Sequence, residues 1–180
     1  MPTTPPQPAV ERIVPFAGHP LVVGVVPGGS GLVVHTALEW AKALGVDLYF
    51  AYVDPSRVSI AEYPDGTVDH VSVDPDTLDE EWRTQESRLT SWLERECADQ
   101  PVTWHVRYLA GRADRALTHL ARTVDASAFI VGAHGVRRSR WRPDEFLNES
   151  IAVRLSHHQH RPVLTVPLVV VDWKDRTPWQ

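Results

Sequence analysis

Cysteine, excess positive charge and long apolar runs are all scarce in this chain of 180 residues. Cys97 is the single cysteine, so no intramolecular disulfide can form and the composition favours a reducing compartment. Because Cys97 ends a periodic helical pattern with no cue for an activated thiolate, we expect a buried bystander and not a catalytic thiol. The net charge of −5 argues against an overall basic surface for nucleic acid.

Signals for membrane insertion or export are also missing. No apolar run approaches the length of a membrane span, and the first twenty residues lack the basic and apolar regions of a signal peptide. We therefore expect a cytoplasmic protein without membrane contact. Prolines at five positions make residues 1–18 a flexible tail, which leaves a domain over 19–172 and a C-terminal tail over 173–180.

Short apolar runs alternate with helical patterns through the rest of the chain. The predicted strands cover 21–26, 48–53, 102–108, 128–131 and 163–166, and the predicted helices cover 30–45, 77–97 and 113–124, with a fourth starting at Asp144 or Asn148. Such alternation demands parallel pairing with right-handed crossovers. The predicted fold is α/β, an open doubly wound five-stranded parallel sheet of Rossmann-like type, with strand order 3-2-1-4-5 and helices on both faces. Residues 56–76 show little periodicity and are predicted to form a long irregular loop.

The carboxyl end of the fourth predicted strand carries a glycine turn. Gly132 and Gly135 mark where the strand gives way to a loop, and this edge of an open α/β sheet is where ligands bind. His134 lies between the two glycines and is predicted to face the pocket. It has no identifiable acidic or nucleophilic partner, so the sequence indicates no general-base chemistry.

Three passages, LVVGV with its Gly-Ser turn, LARTVDASAFIVGAHG and SHHQHRPVLTVP, together resemble the universal stress protein family over about residues 20–167. The family's nucleotide pattern is Gly, two residues, Gly, nine residues, Gly, then Ser or Thr. Gly132, Gly135 and Ser150 fit this pattern, whereas Glu149 stands at the third glycine and thirteen residues, 136–148, replace the nine. The resemblance implies a stress-response domain, and a homodimer paired antiparallel through residues 163–171.

Two positions depart from the ATP-binding branch of that family. Val26 stands where that branch has an aspartate after the first strand, so one polar contact to a nucleoside is missing. If Glu149 faces the pocket, it adds a negative charge where backbone N–H groups approach phosphate, and two like charges about 4 Å apart repel by roughly 4 kcal/mol at an effective dielectric near 20. The alternative is that the Glu149 side chain turns to solvent. The resemblance and the edge position together assign these residues to the pocket: Val26, Gly28, Val53, Gly132, His134, Gly135, Arg137, Arg138, Glu149, Ser150 and Ile151.

Other charged clusters leave alternatives open. Arg137, Arg138, Arg140 and Arg142 around Trp141 can bind phosphate and compensate for Glu149, although a solvated surface loop is favoured and a single-stranded RNA site lacks a supporting fold motif. A metal site at the histidines of the last helix is not favoured over a structural role, because adjacent helical positions point to different faces: His157, His158 and His160.

The sequence therefore favours a dimeric binding or interaction module with a degenerate nucleotide pocket, no cofactor and no turnover, and with a protein partner left open. The alternative is an ATP or AMP binder that uses the glycine turn and the arginine loop, with slow ATP hydrolysis as its enzymatic variant.

Overall fold

The computed structural model describes residues 8–74, 81–133 and 150–169. A 3-10 helix at Val10–Arg12 precedes the first strand. The strands are β1 (Leu21–Gly24), β2 (Leu48–Asp54), β3 (Arg57–Glu62), β4 (Val68–Ser72), β5 (Trp104–Ala110), β6 (Ala128–Ala133) and β7 (Val163–Pro167), and the helices are α1 (Gly31–Leu44), α2 (Glu81–Glu96), α3 (Ala113–Thr123) and α4 (Ile151–His158). No helix in these ranges is both long and apolar enough to cross a membrane.

Five parallel strands form the sheet, in the order β5-β2-β1-β6-β7. This arrangement confirms the predicted open sheet and its order, once β3 and β4 are set aside as a separate pair. One apolar cluster joins the sheet to α1 and α2, and a second joins its other face to α3 and α4. The helices therefore cover both faces, as expected for a doubly wound fold.

The central strand β1 explains why both faces must be covered. Leu21, Val22 and Val23 are each at most 1% exposed, although successive strand residues point to opposite faces. Leu21 and Val23 belong to the α1–α2 side and Val22 to the α3–α4 side. An uninterrupted apolar run is thus what a strand buried on both faces requires.

Local signals set the ends of α1 where the sequence predicted them. Ser30 accepts a hydrogen bond from the Leu32 N–H at 3.2 Å, and Gly45 ends the helix in the left-handed region with φ of 65°. The strand β5 begins two residues later than predicted, at Trp104, because the Val102 N–H closes a tight turn onto the Gln100 carbonyl. The predicted starts of the second and fourth helices lie outside the described residues.

The prediction of an irregular loop over 56–76 was wrong. Strands β3 and β4 form an antiparallel hairpin there, and their register shifts between Ser59 and Ala61. This bulge interrupts the two-residue alternation that identifies a strand in sequence. The hairpin turn contains Gly66 with φ of 84°, and the Asp65 carboxylate accepts hydrogen bonds from Thr67.

A buried polar cluster attaches this hairpin to the sheet. Asp54, 8% exposed, accepts hydrogen bonds from the Tyr108 hydroxyl at 2.6 Å and from the Ser56 N–H and hydroxyl. Burial alone would raise the pKa of Asp54, but the hydrogen bonds from Ser56 and Tyr108, together with the charge of Arg57, lower it overall. Arg57 is 4% exposed and donates to the ring of His70 on β4 at 2.6 Å. The cluster thus joins β2, β5 and both hairpin strands.

Replacing Tyr108 by phenylalanine removes the hydroxyl that donates to Asp54. We expect Tyr108→Phe to lower the free energy of unfolding by about 1–3 kcal/mol in urea titrations at pH 7, because the buried carboxylate loses a partner. Because the pKa of Asp54 is lower in the folded protein, this carboxylate contributes its full stabilisation of the fold above its unfolded pKa near 3.9. That contribution is lost as the pH falls through the folded pKa. The difference between the variant and the wild type should therefore shrink at acidic pH, and a constant difference would contradict this account.

Candidate functional site

A cavity of about 200 Å³ opens at the carboxyl end of β1, β2 and β6. The strand order changes direction here, since β1 pairs with β2 on one side and with β6 on the other. Its described lining is Gly24, Val25, Val26, Gly29, Ser30, Val33, Ala51, Tyr52, Val53, Trp92, Ala113, Leu117, Val131, Gly132, Ile151 and Leu168. It therefore lies where ligands bind in open α/β sheets.

The described walls of this cavity carry no charged side chain. Their few polar groups are engaged within the protein. The Ser30 hydroxyl caps α1, the Trp92 indole N–H donates to Glu96 at 3.1 Å, and the Gln85 amide donates to the Tyr52 hydroxyl at 3.5 Å. Burial, with the charge of Asp54, raises the pKa of Tyr52, so its phenol stays protonated at neutral pH. The cavity consequently offers an apolar or aromatic group a suitable surface.

The structure brings together four of the pocket residues predicted from sequence. Val26, Val53, Gly132 and Ile151 all line the cavity, where Val26 is 44% exposed. Ser150 lies beside it and accepts a hydrogen bond from the Val153 N–H at 3.3 Å, which caps α4. Gly28 does not line the cavity: it adopts φ of 68° in the turn before α1. The remaining predicted residues lie outside the described ranges: His134, Gly135, Arg137, Arg138 and Glu149, with Arg140, Trp141 and Arg142 of the arginine loop.

Packing explains why a glycine stands at position 132. A Cβ atom added there would lie 2.8 Å from Leu168 Cδ1 and 3.2 Å from Val33 Cγ2, both closer than ordinary van der Waals contact. The sequence analysis assigned this glycine to a ligand turn and missed the two apolar side chains. Leu168 follows β7 directly, at the edge where β6 also ends, but no local sequence pattern marks its contact with Gly132.

Two helices begin beside the cavity. Ser30 caps α1 and Ser150 caps α4, so the positive ends of both helix dipoles lie at this edge of the sheet. Such N-termini favour an anion at the mouth of the cavity, while the interior favours an apolar group.

The described residues contain no group of three or more His, Cys, Asp or Glu side chains placed to hold a metal ion. His157 and His158 are exposed at the end of α4. Cys97 is buried, as predicted, and burial together with the neighbouring Glu96 raises its pKa to about 11. Its thiol is therefore protonated at neutral pH and is a poor nucleophile.

The sheet order and the cavity at its switch point define a doubly wound α/β domain of Rossmann-like type. The model of the universal stress protein family matches residues 19–167, and the chain belongs to that family. No curated protein sequence matches the chain significantly.

Solved structures of this family share the fold at low sequence identity. A family member from Burkholderia pseudomallei has a TM-score of 0.57 at 22% identity, covering 82% of this chain and 95% of that one. A universal stress protein from Archaeoglobus fulgidus in complex with dAMP has 0.55 at 19%, covering 82% and 96%. A further universal stress protein in complex with cAMP has 0.56 at 20%, covering 84% and 98%.

The contact between Gly132 and Leu168 can be tested by a double-mutant cycle. Gly132→Ala should destabilise the fold by about 1–3 kcal/mol, because the added methyl group overlaps Leu168 and crowds Val33. In a Leu168→Ala background the same change should cost measurably less, since the side chain that it meets most closely is gone. Urea unfolding of the four proteins measures this coupling, and additive effects would mean that the two residues do not compete for space.

Proposed function

We propose that the chain is a homodimeric binding or interaction module of the universal stress protein family, with a degenerate nucleotide pocket and no catalytic turnover. The observation that carries this proposal is the apolar cavity, in which Val26 occupies the place that the family resemblance assigns to a nucleoside-binding aspartate. The domain limits of 19–172, with a tail on either side, belong to the same proposal. The single buried cysteine supports a reducing compartment such as the cytoplasm.

The size of the cavity supports the loss of nucleotide binding. Pockets for small molecules usually measure about 300–1,000 Å³, whereas this one measures about 200 Å³. Leu168 packs directly over Gly132, the first glycine of the family's phosphate pattern. Glu149, at the third glycine position, adds a negative charge to the same pattern. These features each oppose a polyanionic ligand.

Binding of ATP, AMP or another adenine nucleotide is the second candidate, with slow ATP hydrolysis as its enzymatic form. The helix N-termini capped by Ser30 and Ser150 favour it, because they offer N–H groups to phosphate beside an apolar interior. The two relatives solved with dAMP and cAMP support it as well. In this alternative, the contact that an aspartate at position 26 would make is replaced by contacts from His134, Gly135, Arg137 and Arg138.

Calorimetric titration distinguishes the two candidates. We expect the wild type to bind ATP with a dissociation constant above about 100 μM, which corresponds to a binding free energy of about −5.5 kcal/mol. The double variant Val26→Asp/Glu149→Gly restores both family contacts, so its affinity for ATP should be at least tenfold higher. Val71→Asp is the matched control, because Val71 is 40% exposed on β4, away from the cavity. Nucleotide that co-purifies with the folded protein, or sub-micromolar binding by the wild type, would contradict the degenerate pocket.

The homodimer is proposed through residues 163–171. Strand β7 lies at the edge of the sheet and pairs only with β6 among the described strands, so its outer backbone groups face away from the sheet. A two-fold axis places this segment opposite itself, which makes the pairing antiparallel. Pro167 cannot donate a hydrogen bond and should divide the ladder into two short pieces.

Lysines on this edge should prevent the pairing. We expect a dimer mass for the wild type by light scattering at micromolar concentration, and a monomer for Thr165→Lys/Val169→Lys, in which two exposed side chains acquire positive charge. Thr103→Lys, next to β5 at the opposite edge, is the control and should remain dimeric. A monomeric wild type would refute the proposal.

A further inference from the structure

A second groove, separate from the apolar cavity, lies between β3 and α3 and measures about 760 Å³. No described residue lines both the groove and the cavity. The groove exists because the hairpin stands beside the sheet with its turn packed on α3: a Cβ atom added to Gly66 would lie 2.5 Å from Leu120 Cδ1. The groove is larger than the apolar cavity, at about 760 Å³ against about 200 Å³.

The two walls of the groove run in the same direction. At the start of β3, the Arg57 carbonyl lies 4.0 Å from where a Cβ of Gly111 would be, just before α3 begins. At the end of β3, Glu62 Oε2 lies 2.7 Å from Nε2 of His119, near the middle of α3. An extended chain laid in the groove therefore follows both walls over several residues.

The helical wall is basic. Arg112, Arg115, His119 and Arg122 follow one another at three- and four-residue steps, which places them on one face of α3. Arg112 forms two hydrogen bonds to the buried Asp114 carboxylate. Arg115 and Arg122 are exposed, and neither has a carboxylate of the described residues within ion-pair distance. This stripe is positive on a chain whose net charge is −5.

Besides Asp114, which is bound to Arg112, the stripe already holds a second carboxylate. Glu62 reaches across from β3 and pairs with His119, which lies between Arg115 and Arg122 on α3. Its position shows that a carboxylate projecting from an extended strand meets this helix face at hydrogen-bonding distance. The same contact also occupies His119, so a ligand must compete with Glu62 at this point.

The hairpin wall offers backbone groups and apolar side chains. Among the described strands β3 pairs only with β4, so no described strand occupies its other edge over residues 58–62. Val58 and Tyr63, 44% and 45% exposed, line the groove on this side, with Val68 beside them. An extended peptide matches such a wall, because it supplies main-chain hydrogen bonds and alternating side chains.

We propose that this groove binds an extended acidic peptide, which adds as a strand to β3 and places carboxylates on alternate residues against Arg115, His119 and Arg122. A helix rises about 1.5 Å per residue, so His119 and Arg122 lie about 6 Å and 10.5 Å along α3 from Arg115. Alternate residues of a strand are about 6.7 Å apart, which brings successive carboxylates within reach of the long arginine side chains. Inorganic polyphosphate lacks the backbone and apolar groups that the hairpin wall accommodates.

This inference names a class of partner for the proposed interaction module. It rests on the proposed function in one respect only, namely that the chain binds a ligand and does not catalyse a reaction. The groove and the apolar cavity share no described residue, so the two sites can be tested separately. Failure of peptide binding would leave the nucleotide titration unaffected, and strong nucleotide binding would leave the peptide result unaffected.

The experiment measures fluorescence anisotropy of a labelled seven-residue peptide in which Glu and Val alternate. The full-length protein should bind it at least tenfold tighter than a peptide of the same composition with all Glu residues before all Val residues. Arg115→Gln/Arg122→Gln should weaken the alternating peptide tenfold or more. Glu62→Gln should tighten binding several-fold, because it releases His119 and removes a like charge. Arg88→Gln, an exposed arginine of α2 outside the groove, is the control and should bind as the wild type does.

Equal affinity for the alternating and block peptides would overturn strand addition, and so would absence of binding by either. Binding of inorganic polyphosphate without discrimination between the peptides would assign the groove to polyanions and reject the proposal. Circular dichroism and the midpoint of thermal unfolding report whether the variants fold. If the double arginine variant is unfolded, the peptide comparison on the wild type and the Glu62→Gln result still decide the question.

Discussion

Burial of β1 on both faces is the constraint on which the other features of this domain depend. Its three apolar residues can be removed from water only if helices cover both sides of the sheet, and parallel neighbours then require crossover connections. With β1 central, the chain departs in one direction through β2 to β5 and in the other through β6 to β7. The cavity lies where these two directions separate.

A fold that binds nucleotides in other proteins does not by itself provide the side chains that bind one. The cavity keeps the expected location and two capped helix starts, yet its described walls are apolar. Gly132 shows how one residue satisfies two different demands. A glycine at this turn permits close approach of a phosphate in the family pattern, and here it permits close approach of Leu168. A glycine at this position therefore does not reveal whether it accommodates a phosphate or an apolar side chain.

The hairpin gives this domain a second surface that the sheet alone does not have. Its attachment depends on buried polar groups, with Asp54 and Tyr108 at the base and Arg57 joined to His70 between the strands. At the tip, Arg107 donates to the Asp65 carbonyl and Gly66 packs on α3. Both attachments are needed to form a groove, since a hairpin fixed at one end only would not hold a parallel wall beside α3. The basic stripe of α3 thereby becomes the wall of a groove and not an isolated charged surface.

The amino-acid sequence by itself determined the layered fold, because apolar runs and helical periods report burial directly. The parallel, doubly covered sheet and the ends of α1 were predictable for this reason, from the runs around Val22 and from Ser30 and Gly45. The hairpin was not, since its bulge breaks the alternation and its stability comes from polar contacts with residues distant in sequence, such as Tyr108. Nor was the meeting of Leu168 with Gly132, or of Glu62 with His119. Sequence patterns record which side of an element is buried, whereas the tertiary structure alone decides which buried or exposed side chains come together.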